Sequence, residues 1–439
     1  MTEPGTEVSA AGRRLIRRGV GGVRRTVARR PRVLIYLAIL GPGMITANAG
    51  NDAGGIATFA SVGAEHGYKL LWILFPLTIS LGIVQEMCAR MGAVTGKGLA
   101  DLIRERFGVR WTALVMLALL IANGGVTVSE FVGIAAATEL FGIPRYISVP
   151  IAALSIWWLV VKGTYKRVER VFLLMSLVFL GYVVSAFLAR PSWGTIAREI
   201  VQPRFDFTSA YLFTFVAIVG TTISPYMQVF VQSSVVEKGV TAEDYSLTRL
   251  DVWVGTIFAV TIVFFIMIST AATLHVRGEH VDTAAQAAQA LKPLAGGYAE
   301  ALFAIGLFGA SMLAAGVLPL ATAYSISEAL GFEKGVSSSF REAPIFVGIF
   351  TFLVSLGAVV AMMPGLPLIR VLLVTQVING LLLPVILIAV LRLVNDRELM
   401  GKHVNGKLYN LAAWVTTLVV SLLSFLLILT TVFPGLFYK

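Results

Sequence analysis

The sequence predicts an all-α integral membrane protein, and three observations carry that prediction. Hydrophobic residues fill 57% of the 439 positions and charged residues only 13%, against about 25% charged in soluble domains. Mean hydropathy is +0.84, and the apolar residues fall in runs that match the ~20 helical residues needed to cross a hydrocarbon core of about 30 Å. Two of these runs carry polar interruptions at corresponding places in the two halves of the chain. The expected architecture is eleven transmembrane helices, the first ten forming two inverted groups of five whose leading members, the first and sixth helices, are broken.

Residues 1–32 form a basic segment that precedes the first span. Arg13, Arg14, Arg17, Arg18, Arg24, Arg25, Arg29, Arg30 and Arg32 face only Glu3 and Glu7, so this stretch holds most of the net charge of +11. Its position points to a cytoplasmic N-terminus lying against anionic lipid rather than to nucleic acid. No short apolar core with a small-residue cleavage site marks a secretory signal.

The first five-helix repeat is expected over 33–190. An unbroken helix from Val33 to His66 would be roughly 50 Å long at ~1.5 Å per residue, too long for one crossing. The polar stretch Asn48-Ala49-Gly50-Asn51-Asp52-Ala53-Gly54-Gly55 resolves the excess as a break in which glycines ease the departure from helical geometry. An acid at that depth needs a partner, water or an ion, so Asp52 is the leading functional candidate. Further spans follow at Leu70–Val94, Trp111–Phe141, Pro144–Val161 and Val171–Leu188, with Gly96–Arg110 read as a polar cytoplasmic segment.

After an outer connecting segment, 191–210, the second repeat occupies 211–393. Its first span, Tyr211–Val236, is interrupted at Gly220-Thr221-Thr222-Ile223-Ser224-Pro225-Tyr226, where Pro225 removes a helical donor. Spans at Val252–Leu274, Ala299–Leu330, Ala343–Met363 and Leu366–Leu393 complete the repeat, and a short helix is expected at Thr283–Leu291 in an outer loop. Residues 394–439 supply a cytoplasmic loop and the eleventh helix, Leu411–Phe433. With this alternation sixteen Lys and Arg fall in cytoplasmic loops and nine in outer segments, even without the N-terminal arginines. That bias puts the C-terminus outside.

Two interrupted spans in matching positions point to a transporter that binds its substrate near the bilayer midplane. The residues around the breaks also resemble a known family. Gly41-Pro42-Gly43, Asn51 to Thr58, Gly67-Tyr68-Lys69-Leu70-Leu71-Trp72, Ala89 to Lys97, Ser129-Glu130-Phe131-Val132-Gly133, Gly309 to Gly316, Thr375-Gln376-Val377 and Leu383-Pro384 look like the NRAMP divalent-metal transporters. The resemblance spans nearly the whole chain and implies the leucine-transporter fold. It also exposes departures. Where the family has Asp-Pro-Gly-Asn, this chain has Asp52-Ala53-Gly54-Gly55; where the family has Ala-Thr-Val-Met-Pro-His, it has Thr221-Thr222-Ile223-Ser224-Pro225-Tyr226.

Those departures remove the soft sulfur ligand and leave oxygen donors, which Mg²⁺ and Ca²⁺ favour. The expected metal site comprises Asp52, Gly55, Thr221, Ser224, Tyr226 and Gln376, with Asn51, Glu130 and Thr127 as surrounding or gating residues. Mg²⁺ sheds water reluctantly and is usually held by one or two carboxylates plus retained waters. Gly55 and Ser224 leave room for such water. The pattern is similar to the NRAMP-related magnesium transporters, a branch that takes Mg²⁺ and Mn²⁺. The family's sixth-span histidine is Tyr226 and the acid one turn before Glu130 is Thr127, so transport without proton coupling is expected. The rival expectation is a proton-coupled Mn²⁺/Fe²⁺ transporter.

Each site residue also has a plainer explanation. Ser224 and Thr221 are suited to capping a broken helix, Gln376 to bridging helices, Tyr226 to packing or gating, and Glu130 to a structural ion pair. Met227, Met312 and the single cysteine, Cys88, fit apolar packing, and the four histidines, His66, His275, His280 and His403, lie at span ends or loops. An amino-acid transporter of the same fold would set Asp52 against the substrate carboxylate. An enzyme has no support in paired catalytic carboxylates, a His-x-x-x-His motif or a nucleophile with a base. No cofactor is expected, the metal being cargo, and the protein is expected to be a monomer in the plasma membrane.

Overall fold

A computed structural model describes residues 52–161, 175, 177–203, 205, 208–243, 245–332 and 343–432. The described residues are all helical or connecting, without strands. In chain order the helices are α1 (Ala53–His66), α2 (Leu74–Thr95), α3 (Leu99–Glu139), α4 (Arg145–Val161), α5 (Gly181–Leu188), α6 (Trp193–Val201), α7 (Ser209–Thr222) and α8 (Pro225–Glu237). They continue with α9 (Tyr245–Thr273), α10 (Ala284–Ala288), α11 (Lys292–Ala295), α12 (Ala299–Leu330), α13 (Pro344–Ala361), α14 (Leu368–Val394), α15 (Arg397–Met400) and α16 (Lys407–Val432). Among the described residues eight helical segments are long and apolar enough to cross a membrane, or nine if one bent pair counts as a span. The N-terminal arginines, Asn51, the first half of the first span and the loop following Val161 lie outside the described residues.

The interrupted segment formed by α7 and α8 sits at the centre. In the most apolar window of Ser209–Glu237, 89% of residues are buried, whereas in α16 only 33% are. The last helix therefore belongs to the periphery: Leu411, Val415, Leu418, Leu422 and Phe425 form an exposed stripe at helical spacing suited to lipid. Around the centre, α3 packs along α12, α13 and α14, while α1 packs on α7, α9 and α14. Close crossings bring these helices together. A Cβ on Gly220 would fall 2.2 Å from the Gln376 carbonyl oxygen and 2.5 Å from the Gly380 nitrogen, so α7 and α14 touch backbone to backbone, as small residues permit.

Two local readings are refined and a third is met. The polar stretch Gly96–Arg110 is not a loop but mostly helix, joined to the membrane-spanning part of α3 across a kink at Gly108, whose φ is 72°. Polar composition there marks a solvated helix: Arg106 pairs with Asp396 at 3.2 Å and Glu398 at 2.8 Å. The outer connecting segment holds α6, which folds back by 108° from the preceding helix and anchors Trp193 against Phe187 at 5.3 Å between ring centroids. The helix expected at Thr283–Leu291 forms as α10 followed by a 3₁₀ turn, started by a capping box between Thr283 and Gln286.

Candidate functional site

The start of α1 and the interruption between α7 and α8 meet at one buried place. Asp52 precedes α1 with extended backbone (φ −72°, ψ 173°), and its Oδ1 accepts from the Gly55 amide at 2.6 Å. That bond caps the helix and fixes the carboxylate, which retains further lone pairs for a cation. The Ala53 amide donates to Glu130 Oε2 at 3.4 Å, so both acids converge on the first turn of α1. Ser129 also donates to Glu130, at 3.4 Å. The Tyr226 phenol lies in electrostatic range of both carboxylates. Asp52 is 2% exposed, Glu130 and Tyr226 are 0%.

The sixth span departs from helix where Pro225 demands it. α7 ends at Thr222, Ile223 (φ −112°, ψ 68°) and Ser224 (φ −74°, ψ 136°) are non-helical, and α8 begins with Pro225. The carbonyls at the end of α7 carry the negative end of its dipole, which suits a cation facing an acid. Thr222 is back-bonded to the Ile218 carbonyl at 2.7 Å. Its neighbour Thr221 is different: its buried hydroxyl has no hydrogen-bond partner within the protein. Ser224 holds the N-cap position but makes no side-chain cap bond; its hydroxyl accepts instead from Asn379. Capping therefore does not explain either hydroxyl.

Gln376 completes the cluster. A Cβ on Gly54 would fall 1.9 Å from Gln376 Nε2, so the amide lies directly on the glycine beside Asp52. Neither its oxygen nor its nitrogen has a hydrogen-bond partner within the protein, although the residue is fully buried. Among the described residues the Gln376 amide makes no interhelical hydrogen bond. Leaving such groups buried and unpaired costs about 1–3 kcal/mol each, a cost that a bound hydrated ion would offset.

Other expected residues have settled positions. Gly55 donates its amide to Asp52 Oδ1. The Thr127 hydroxyl donates to the Asn123 carbonyl in its own helix at 2.7 Å. Met227 sulfur accepts from Gln85 at 3.7 Å, and His275 is bonded to the Ala64 carbonyl at 2.8 Å. Among the described residues no group of three or more His, Cys, Asp or Glu is placed to hold a metal ion, so neutral oxygens must supply most of any coordination shell here. A cavity of about 360 Å³ begins one turn along α1 from Gly54 and is lined by Thr58, Ser61, Glu65, Ala217, Asp282 and Arg370 among others.

Asn379 was not foreseen. Asparagine within an apolar helix, at i+3 from Gln376 and thus on the same face, was the available signal.

Known proteins resemble this chain in sequence and in fold. The sequence model of the Natural resistance-associated macrophage protein-like (Nramp) family matches residues 43–430. The divalent metal cation transporter MntH of Ralstonia nicotianae is 30% identical over 428 residues, covering 91% of this chain and 93% of that protein. The MntH of Deinococcus radiodurans is 27% identical, covering 88% of each. A crystal structure of the Eremococcus coleocola manganese transporter, in complex with an aromatic bis-isothiourea compound, superposes with a TM-score of 0.72 at 20% identity, over 92% of this chain and 88% of that one; at such identity the likeness shows the fold. A more distant likeness, with a TM-score of 0.50 and 14% identity, is to Mhp1, a nucleobase-cation-symport-1 family transporter. With the family match running from before the first break to the last helix, this chain belongs to the Nramp family.

Proposed function

We propose that this chain is a secondary transporter of divalent metal cations that binds a partly hydrated ion between the two breaks. Asp52 supplies the charge, and Thr221, Ser224 and Gln376 supply neutral oxygens. One observation carries the reading: beside a buried carboxylate, the Thr221 hydroxyl and both Gln376 amide atoms are buried without protein partners. Eleven spans in two inverted groups of five would place that cluster near the bilayer midplane. A membrane potential acts on a doubly charged ion with about 4.6 kcal/mol per 100 mV, enough to drive inward movement.

The cargo is argued from two sides. The relatives are named for divalent metal and the structural neighbour for manganese, which favours Mn²⁺ over the Mg²⁺ preference expected from the sequence. The donor set adds a second property. With Ser224 where the family places methionine, every identifiable ligand is oxygen, and oxygen sites accept Mn²⁺ and Mg²⁺ alike. We therefore assign Mn²⁺ as cargo, with Mg²⁺ admitted. Absence of proton coupling finds no support in the relatives, and Asp52 and Glu130, both at the first turn of α1, are the groups suited to carry a proton if one moves.

Proteoliposomes test this reading. Mn²⁺ should enter down its gradient, Mg²⁺ should compete, and Cd²⁺ should gain little advantage. Strong Cd²⁺ preference with no effect of Mg²⁺ would contradict the oxygen-only site. A pH dye in the lumen decides the coupling: acidification in fixed ratio to metal uptake establishes the proton-coupled form.

A further inference from the structure

Asn379 lies one turn beyond Gln376 on α14 and is completely buried. Its Nδ2 donates to the Gly220 carbonyl at 2.8 Å and to the Ser224 hydroxyl. One amide thus bridges the end of α7 and the start of α8, across the break. Its own Oδ1 has no hydrogen-bond partner within the protein. The amide stands on a rigid base, because a Cβ on Gly380 would fall 2.6 Å from the Val216 carbonyl oxygen.

A helix end releases carbonyls that need other donors. Of two adjacent ones here, Gly220's is occupied by Asn379. That of Thr221 would have Pro225 as its helical partner, and proline has no N–H. Adjacent carbonyls are therefore treated differently, and the difference comes from a third helix.

We infer that Asn379 is a positioning residue that sets ion specificity: it fixes the Ser224 hydroxyl and engages one lone pair of the Gly220 carbonyl. The inference rests on the proposed metal site. A serine hydroxyl carries two lone pairs and one proton. Accepting from Asn379 commits one lone pair and restricts rotation, so the other faces a defined direction. The break then offers a small, fixed set of oxygens. Removing the amide frees the hydroxyl to rotate and releases the engaged lone pair of the Gly220 carbonyl, which loosens the set of oxygens. A larger, looser shell favours Ca²⁺, which takes 6–8 oxygens at about 2.3–2.6 Å, over Mg²⁺, which demands octahedral geometry at about 2.0–2.1 Å.

The test is Mn²⁺ uptake into proteoliposomes with Mg²⁺ and Ca²⁺ as competitors. Asn379→Ala should raise the apparent KM for Mn²⁺ by about 10-fold, lower the maximal rate much less, and shift competition toward Ca²⁺ relative to Mg²⁺. Asn379→Leu keeps the branched side-chain shape without a donor and should show the same shift, which keeps the test open if the alanine variant does not fold. Because the amide acts through Ser224, the Ser224→Ala/Asn379→Ala double variant should lose little more than Ser224→Ala alone. Equal losses for all three ions, or fully additive losses, would overturn the inference. Asp52→Ala in the same assay separates the two levels. Normal uptake by that variant sinks the underlying site, whereas loss of uptake with ion-blind Asn379 variants sinks only the role of Asn379.

Discussion

Two buried polar clusters in this protein are built on opposite principles. At the end of α2, Glu86 pairs with Arg90 at 3.3 Å, their side chains 5% and 12% exposed. Tyr245 donates its hydroxyl to Glu86, and Arg90 also donates to the His403 carbonyl at 3.0 Å and to Asn405. The guanidinium lies 5.6 Å from the centroid of the Tyr409 ring. That cluster ties α2 to α9, to the loop before α16 and to α16 itself. Around Asp52 the balance is reversed: an acid with one capping bond stands near a hydroxyl and an amide that bond nothing in the protein. Burial makes unpaired charge costly: Glu86 and Arg90 face each other, even though Glu86 Oε2 and Arg90 Nε make no hydrogen bond among the described residues, whereas Asp52 has no cationic side chain paired with it among the described residues.

The comparison is broken most directly by exchanging the outcomes. Asp52→Ala should lower metal uptake by about 100-fold or more, beyond the range for residues that merely orient ligands, while the purified variant keeps its elution profile. Arg90→Ala should do the converse. Leaving Glu86 buried without its cation costs about 3–5 kcal/mol, read as a lower melting temperature, whereas the ion selectivity of the protein that remains folded should be unchanged. A smaller effect is expected at Gly54. Its Cβ would clash with Gln376, so Gly54→Ala should displace the amide and raise the apparent KM by about 10-fold.

The finest contrast lies between two neighbouring threonines. Thr222 is bonded to its own helix and Thr221 is not. Thr221→Val should weaken uptake while holding or slightly raising thermal stability, since it removes an unsatisfied buried group. Thr222→Val should leave uptake intact. Equal effects of the two substitutions on KM would remove Thr221 from the site.

Much of this was legible in the sequence because spans are long and their signal sums over many residues. Ala299–Leu330 is found at the expected bounds, and the sixth-span break falls inside Gly220–Tyr226, where Pro225 dictates it. Composition could not separate a polar loop from a solvated helix at Gly96–Arg110, since both are hydrophilic and only the glycine at the kink differs. Asp52 announced itself by the cost of burying a charge. Asn379 did not, because its importance comes from reaching across to Gly220 and Ser224, a contact made by tertiary packing between positions over 150 residues apart.

On the proposed function, the Asp52 carboxylate, where the start of α1 meets the interruption between α7 and α8, holds a divalent ion through oxygen alone. Parallel Mn²⁺ and Mg²⁺ flux into proteoliposomes bearing the native chain or Asp52→Ala tests it most directly. The account predicts that both ions enter through the native protein and that neither enters through the variant. Flux of either ion through Asp52→Ala at the native rate would contradict it.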